Sequence, residues 1–332
     1  MAGTALTVIP WAYQQSGLIL GIALTIVAFA FSFYTCYLVI MTAGNDIDYT
    51  ETLRKHFGKA GWLVGMICFI FNFAVPILIF FQLLSSNFYP ILLCIIGLIQ
   101  GKDYETVSLK PDWSEFSYTW TCVIILVITF LMTAPREVKI YNKINSFGVV
   151  FIVIIIIFQL GVGIYSITNT DYIYSKSEYE DYLAEKKVDP DTPYVGYISM
   201  VSGQFAPLMG ILGGGFYFHN ISLSVIRNAR HPENNLRNVF LGYVATCLTY
   251  IMCGTLGYYG FIGSKFEEKI DADPDHLIIQ NSLSMFPVKS VLATFIRFCA
   301  FAQLLTVNAL IISLERAQIL LIATGKQQAS SV

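Results

Sequence analysis

Charge is what this sequence has least of. Only 13% of its 332 residues are Asp, Glu, Lys or Arg, whereas 55% are hydrophobic, and the mean hydropathy is +0.62. Soluble globular domains carry roughly 25% charged residues, so this chain cannot cover a water-facing surface. No Asp, Glu, Lys or Arg precedes Asp46. Uncharged apolar stretches of about 18 or more residues read as membrane spans. A transmembrane barrel would show segments of about ten residues in strict alternation, and none is present. The sequence therefore predicts an all-α, polytopic membrane protein.

Other absences narrow the function. There is no basic block, which excludes nucleic acid as a partner; membrane lipids are the expected surroundings. The first basic residue is Arg54, so the N-terminus lacks both the basic n-region of a secretory signal and the Arg-rich face of a transit peptide. Any address is expected to be internal, or on residues outside this sequence. The seven cysteines, Cys36, Cys68, Cys94, Cys122, Cys247, Cys253 and Cys299, all sit in apolar runs without a CxxC pair. They read as small core or lipid-facing residues. No HExxH, GxSxG or Walker motif occurs, so no enzyme is expected. Asn220-Ile221-Ser222 matches a glycosylation sequon but falls inside a helix and is discounted.

Eight hydrophobic segments are present, at about 1–14, 18–43, 61–99, 119–134, 145–168, 199–226, 236–262 and 288–323. They form one transmembrane domain over 1–332. The third is too long for one upright span of about 20 residues, so it is a single tilted helix, kinked near Pro76, or two helices. The loops decide between these. Loops 44–60, 135–144 and 227–237 hold nine Lys or Arg and five acidic residues. Loops 100–118, 169–198 and 264–289 hold eight Lys, no Arg and sixteen acidic residues. The two kinds alternate only if 61–99 crosses once. Short basic loops mark the side of insertion, so the first set is expected in the cytosol or a mitochondrial matrix. The acidic loop 169–198 reads as a solvated loop, an amphipathic helix or a hairpin, and PREVKIYNKI (135–144) as a tight basic turn.

Two segments are interrupted alike. The first contains Gly3, Thr4 and Pro10; the sixth contains Pro207, Gly210 and the run Gly213, Gly214, Gly215. Each glycine weakens a helix by about 1 kcal/mol relative to alanine. In a bilayer an unwound backbone is tolerated only where it is buried or lines a cavity. Interruptions at corresponding positions of two halves are the best sequence pointer to a transporter site, where half-helix N-termini receive a carboxylate and freed carbonyls hold a cation. Close packing through small residues is the plainer reading. His219 is a candidate to relay protons or cap a substrate amine, with a hydrogen-bonded packing histidine as the alternative. Arg297 is expected to snorkel to the lumenal interface or form an internal ion pair. Thr306 is a candidate cation ligand beside the carbonyls of the first segment.

These residues carry a resemblance. GTALTVIPWAYQQSG resembles the first-helix signature of the amino acid/auxin permease superfamily, and the chain is most similar to its sodium-coupled neutral amino-acid transporter group, nearest the lysosomal arginine-sensing branch. FFQLLSSNF, YFHNISLSVIRNARHPENNLRNVFLGYVATCLTY and SLERAQILL extend the match. The resemblance implies an inverted-repeat fold like that of the bacterial leucine transporter, with substrate between unwound parts of the first and sixth helices. It implies that Gly3, Thr4, Ala5, Leu6, Gly213, Gly214, Gly215 and Phe216 contribute backbone to that site. It also implies that Thr306 is a sodium ligand; the coupling ion, Na+ or H+, stays open. Relatives in this family have residues before the position of Met1 and three helices after the one ending near Ile322. The expectation is thus an incomplete fold of about eight of eleven helices, truncated at both ends. The functional expectation is a secondary carrier of an α-amino acid in the lysosome, vacuole or another endomembrane. The alternatives are a transport-inactive accessory subunit bound to other membrane subunits, for example in the mitochondrial inner membrane, and an amino-acid sensor.

Overall fold

Where no water reaches the backbone, a helix satisfies its peptide groups within one segment, and helices dominate the described residues. The computed structural model describes residues 5–44, 49–101, 112–113, 116–134, 138–188, 195–217, 219–226, 231–262 and 278–324, with backbone alone at 138–144, 187–188, 220–221, 224–225, 317–318 and 321–324. The helices are α1 (Ile9–Ser16), α2 (Leu18–Ala43), α3 (Tyr49–Gln100), α4 (Tyr118–Met132), α5 (Val138–Asn169), α6 (Lys176–Val188), α7 (Ala206–Gly215), α8 (His219–Ile226), α9 (Asn235–Ile262) and α10 (Val291–Thr324). Short 3-10 turns lie at Pro232–Asn234 and Ser282–Met285. Five helices, α2, α3, α5, α9 and α10, are long and apolar enough to cross a membrane.

Several elements differ from the sequence reading. Of the first segment, expected over 1–14, residues 1–4 lie outside the described residues, and helix α1 runs Ile9–Ser16, two residues past the expected end. The sixth, expected over 199–226 with an interruption at its glycine run, begins as helix only at Ala206 and is two helices, α7 and α8, the first ending at Gly215. The basic turn at 135–144 is shorter than expected, because α5 begins at Val138. In α3 the backbone leaves helical geometry at Gly58 (φ 67°, ψ −157°), not at Pro76 or Pro90, both of which lie within helix. From there to Gln100 the helix spans about 60 Å at ~1.5 Å per residue, more than enough to cross a hydrocarbon core of about 30 Å once.

The loop 169–198 is neither unstructured nor a hairpin. Strands β1 (Asp171–Ile173) and β2 (Val195–Tyr197) pair in parallel, Asp171 opposite Val195 and Ile173 opposite Tyr197, with α6 as the crossover. The Tyr179 ring stacks on Tyr197 (4.8 Å, 11°) and on Tyr182 (5.9 Å, 22°). Tyr172 anchors the unit to α9 by donating its hydroxyl to the Tyr259 carbonyl (3.0 Å).

The two kinds of loop end at opposite poles. Tyr89, Leu93, Val288 and Tyr118 pack together where the acidic loops begin and end. Ala43, Tyr49, Leu223 and Ile226 pack together at the basic-loop pole, where Arg316 also donates to the Thr133 carbonyl (2.9 Å). α3 joins these poles in one crossing.

The core forms around α1. Leu6, Ile9, Ala12 and Tyr13 are fully buried with Leu208, Leu212 and Phe216 of the α7 segment, Tyr250, Cys253 and Phe261 of α9, and Ile296 and Cys299 of α10. α9 admits α1 because glycines stand at the contact. A Cβ on Gly254 would lie 2.6 Å from the Tyr13 ring, and one on Gly257 would lie 2.6 Å from Pro10. At Gly17 (φ 84°) the chain turns from α1 into α2 against the backbone of Val201, 2.7 Å from where a Cβ would be. Ser16 O, Leu18 N and Ile19 N bond to Ser202 N, Ser199 O and Met200 O across that turn.

Candidate functional site

Pro10 starts α1 and has no N–H to donate backward. Leu6–Val8 therefore form turns, with Val8 N donating to Ala5 O (3.1 Å). This frees carbonyls inside the apolar core. An unpaired buried carbonyl costs about 1–3 kcal/mol, and here both are met. Leu6 O accepts from Gln159 Nε2 of α5 (2.6 Å). Thr7 O accepts from the backbone N–H (3.0 Å) and the hydroxyl (2.8 Å) of Ser282.

The second interruption is built the same way. α7 ends at Gly215, and α8 resumes at His219. Gly215 O accepts from Tyr250 Oη (3.4 Å), and Phe216 O accepts from Tyr243 Oη (3.1 Å). Both tyrosines stand on α9, two turns apart on one face. A Cβ at Gly215 would sit 2.5 Å from Tyr250 Oη, so that position must be glycine for the hydroxyl to reach. Leu6 and Phe216 are both 0% exposed and belong to one buried cluster, in which α1 packs against α7.

The expected site residues divide accordingly. Gly3 and Thr4 lie outside the described residues. Ala5 and Leu6 are buried at the first interruption. Gly213 and Gly214 are helical rather than unwound, and both are exposed, with nothing within 4 Å of where a Cβ would stand. Only Gly215 and Phe216 of that run stand at the second interruption. His219 turns to α2, its Nε2 lying 3.1 Å from Ser32 O and 2.6 Å from Thr35 Oγ1. A carbonyl only accepts, so Nε2 carries the hydrogen, and the imidazole ties α8 to α2.

Thr306 lies on α10 facing α5. Its hydroxyl is 2.8 Å from Gln303 O and 3.4 Å from Asn145 Oδ1. Gln303 Oε1 packs directly over Gly148, where any Cβ would displace it, and has no hydrogen-bond partner. Thr306 and Asn145 thus bring two neutral side-chain oxygens together between α5 and α10, and Gln303 Oε1 lies on the same interface at Gly148. Among the described residues no three His, Cys, Asp or Glu side chains form a metal-ligating group. The carbonyls of Leu6 and Thr7, expected beside Thr306, are bound instead to Gln159 and Ser282.

Arg297 does not snorkel, and among the described residues it forms no ion pair. It is 1% exposed and donates to Leu283 O (2.9 Å), Phe286 O (2.6 Å) and Pro287 O (3.5 Å). The sequence reading missed Gln159, Tyr243, Tyr250 and Ser282. Two signals were present: a lone glutamine in FIVIIIIFQLGVG, and tyrosines seven positions apart in one apolar helix.

Two interrupted helices within a bundle of membrane-crossing helices are an arrangement in which transporter sites are built. The comparison with known families is specific: the profile described as "Transmembrane amino acid transporter protein" matches residues 1–319, and the chain belongs to that family within the amino acid/auxin permease superfamily. It is similar to the "Sodium-coupled neutral amino acid transporter 9 homolog" of Caenorhabditis elegans, at 22% identity over 96% of this chain and 56% of that one. It is similar to "Neutral amino acid transporter 9" of Rattus norvegicus, at 24% identity over 96% of this chain and 60% of that one. The Xenopus tropicalis protein of the same description is 22% identical over 96% of this chain and 61% of its own. The chain thus spans about three-fifths of the length of the curated relatives it matches.

Proposed function

We propose that this chain is a secondary carrier of a neutral α-amino acid across an organelle membrane, with the basic loops on the cytosolic side. The observation that carries the proposal is the burial of Leu6 and Phe216, the hinges of two interrupted helices, in one cluster. The half-helix N-termini at Ile9 and His219 supply N–H dipoles suited to a carboxylate. Gly215 lets the backbone of the second interruption come close to Tyr250, and Gly3 and Thr4 are proposed substrate-binding residues on the strength of the resemblance. The names of the relatives, all neutral amino acid transporters, support the substrate class.

Thr306 is the proposed sodium ligand, with Asn145 Oδ1 and Gln303 Oε1 as neighbouring oxygen donors. Neutral oxygens suit hard cations. Proton coupling through His219 is the alternative.

Reconstitution of the purified chain into liposomes tests the reading. Saturable uptake of a labelled neutral amino acid, above that of protein-free vesicles, is the expected result. Binding without uptake would make the chain a sensor. Neither binding nor uptake, with a native mass far above one chain, would make it an accessory subunit of a larger membrane assembly.

A further inference from the structure

We propose that Arg297 is a positioning residue that latches the Ser282–Pro287 segment over the unwound turn of α1, and that release of this latch exposes the Leu6–Val8 turn to the acidic-loop side. The proposal calls this movement a gate only on the strength of the carrier reading; the latch itself rests on geometry.

Arg297 is the largest fully buried side chain among the described residues. Among those residues no carboxylate reaches it: the recorded ion pairs are Lys176 with Glu180 and His231 with Glu233. A buried cation without a counter-ion is costly, and an intramembrane arginine is functional by default. Here its charge is met by carbonyl dipoles from one short stretch, at Leu283, Phe286 and Pro287. Among the described residues its Nε has no hydrogen-bond partner, and every hydrogen bond the guanidinium makes there goes to that stretch.

The stretch is a 3-10 turn of four residues, a conformation with poor hydrogen-bond geometry of its own. It is held from outside on every side. Ser282 caps Thr7 O. Asn281 Nδ2 donates to Ser86 Oγ (3.2 Å) and Asn87 Oδ1 (3.3 Å) on α3. Ile278 N donates to Gln14 Oε1 on α1 (3.0 Å). One segment therefore joins α1, α3 and α10. These ties are neutral hydrogen bonds, two each from Ser282 and Asn281 and one from Ile278, whereas the arginine supplies three charge-assisted ones, which are roughly twice as strong each. The segment also lies on Thr7, which is 2% exposed.

A planar fork reaches several carbonyls at once, and a lysine ammonium does not reproduce that geometry. Arg297→Lys is thus expected to retain the latch only in part.

The test reads local exposure. Met285 is 5% exposed within the segment, and native Cys253 on α9 is 0% exposed. The full chain carrying Met285→Cys is labelled in membranes with an impermeant maleimide, and the rate at each cysteine is resolved by mass spectrometry. Arg297→Gln is expected to raise the rate at position 285 at least tenfold and leave Cys253 protected; Arg297→Lys falls between. A rate at 285 within twofold of the parent overturns the proposal. So does a parallel rise at Cys253, which would mean that Arg297 supports the whole fold. Should Arg297→Gln yield no folded protein, Ser282→Ala decides: it removes the hydroxyl tie to Thr7 from the same segment. A rise of about threefold at 285 with Cys253 protected supports the latch, and no rise overturns it. Uptake is not the readout, so an inactive carrier and a failed latch give different results.

Discussion

Gln159 donates its amide to the carbonyl of Leu6 at 2.6 Å, across 153 positions of sequence. The contact makes the first interruption a built feature rather than a frayed end. A helix of good formers would otherwise close over that carbonyl, and the apolar surroundings supply no other donor.

Gln159→Leu is therefore expected to destabilise the protein by about 1–3 kcal/mol, the cost of leaving a buried carbonyl unpaired. Thermal unfolding in detergent checks it. A melting temperature equal to the parent's would show that Leu6 O finds another partner.

The close approach of Gly215 to Tyr250 makes a second prediction. Gly215→Ala forces a methyl to within 2.5 Å of the hydroxyl, and overpacking of this kind costs about 1–3 kcal/mol. The double variant Gly215→Ala, Tyr250→Phe is expected to recover part of the loss, because the clashing atom is gone. Gly213→Ala, with nothing within 4 Å, is expected to be neutral or slightly stabilising. Melting curves for all three variants rank them.

That contrast shows what was legible beforehand. The bounds of α2 follow from an uninterrupted apolar run between Gly17 and Gly44, and the single crossing of α3 follows from loop charge. The place of the second interruption does not follow from the glycine run. Helix propensity is a weak prior, and Gly213 and Gly214 stay helical. The helix stops where Tyr243 and Tyr250 take its carbonyls, and those side chains arrive from 27 and 35 positions downstream. Arg297 was misplaced for a related reason. Its partners are backbone carbonyls of a 3-10 turn, and sequence does not mark a turn's carbonyls as ligands.

Tyr172 gives a pH-dependent prediction outside the spans. Burial is the main cause that raises its hydroxyl pKa above the ordinary 10, partly opposed by hydrogen bonds to Ser166 and Thr170. A raised folded-state pKa means the neutral form is favoured by folding. Its contribution is complete below about pH 10 and is lost as pH rises through the folded value. Proteolysis of the β1–α6–β2 unit is expected to accelerate above pH 10. Tyr172→Phe, which cannot ionise, should flatten that dependence while raising susceptibility at neutral pH.

Sidedness is checked by single cysteines. Lys59→Cys at the basic-loop pole and Ser177→Cys in α6 are expected to react with an impermeant maleimide from opposite faces of sealed vesicles. Labelling from one face would require α3 to cross twice, against its continuous helix.

The glycines between α5 and α9 limit which parts can move. A Cβ at Gly260 would press on the Gly163 backbone at 2.9 Å, and one at Gly163 would strike the Leu256 carbonyl. Two rods meshed this tightly, main chain against main chain, translate and rotate as a single strut. With Pro10 and Tyr13 seated in the notch at Gly257 and Gly254, the short rod of α1 rides on that strut as well. Any change of shape in this protein must therefore be sought at the joints around it, in α2, α8 and the 282–287 segment, while the strut stays rigid.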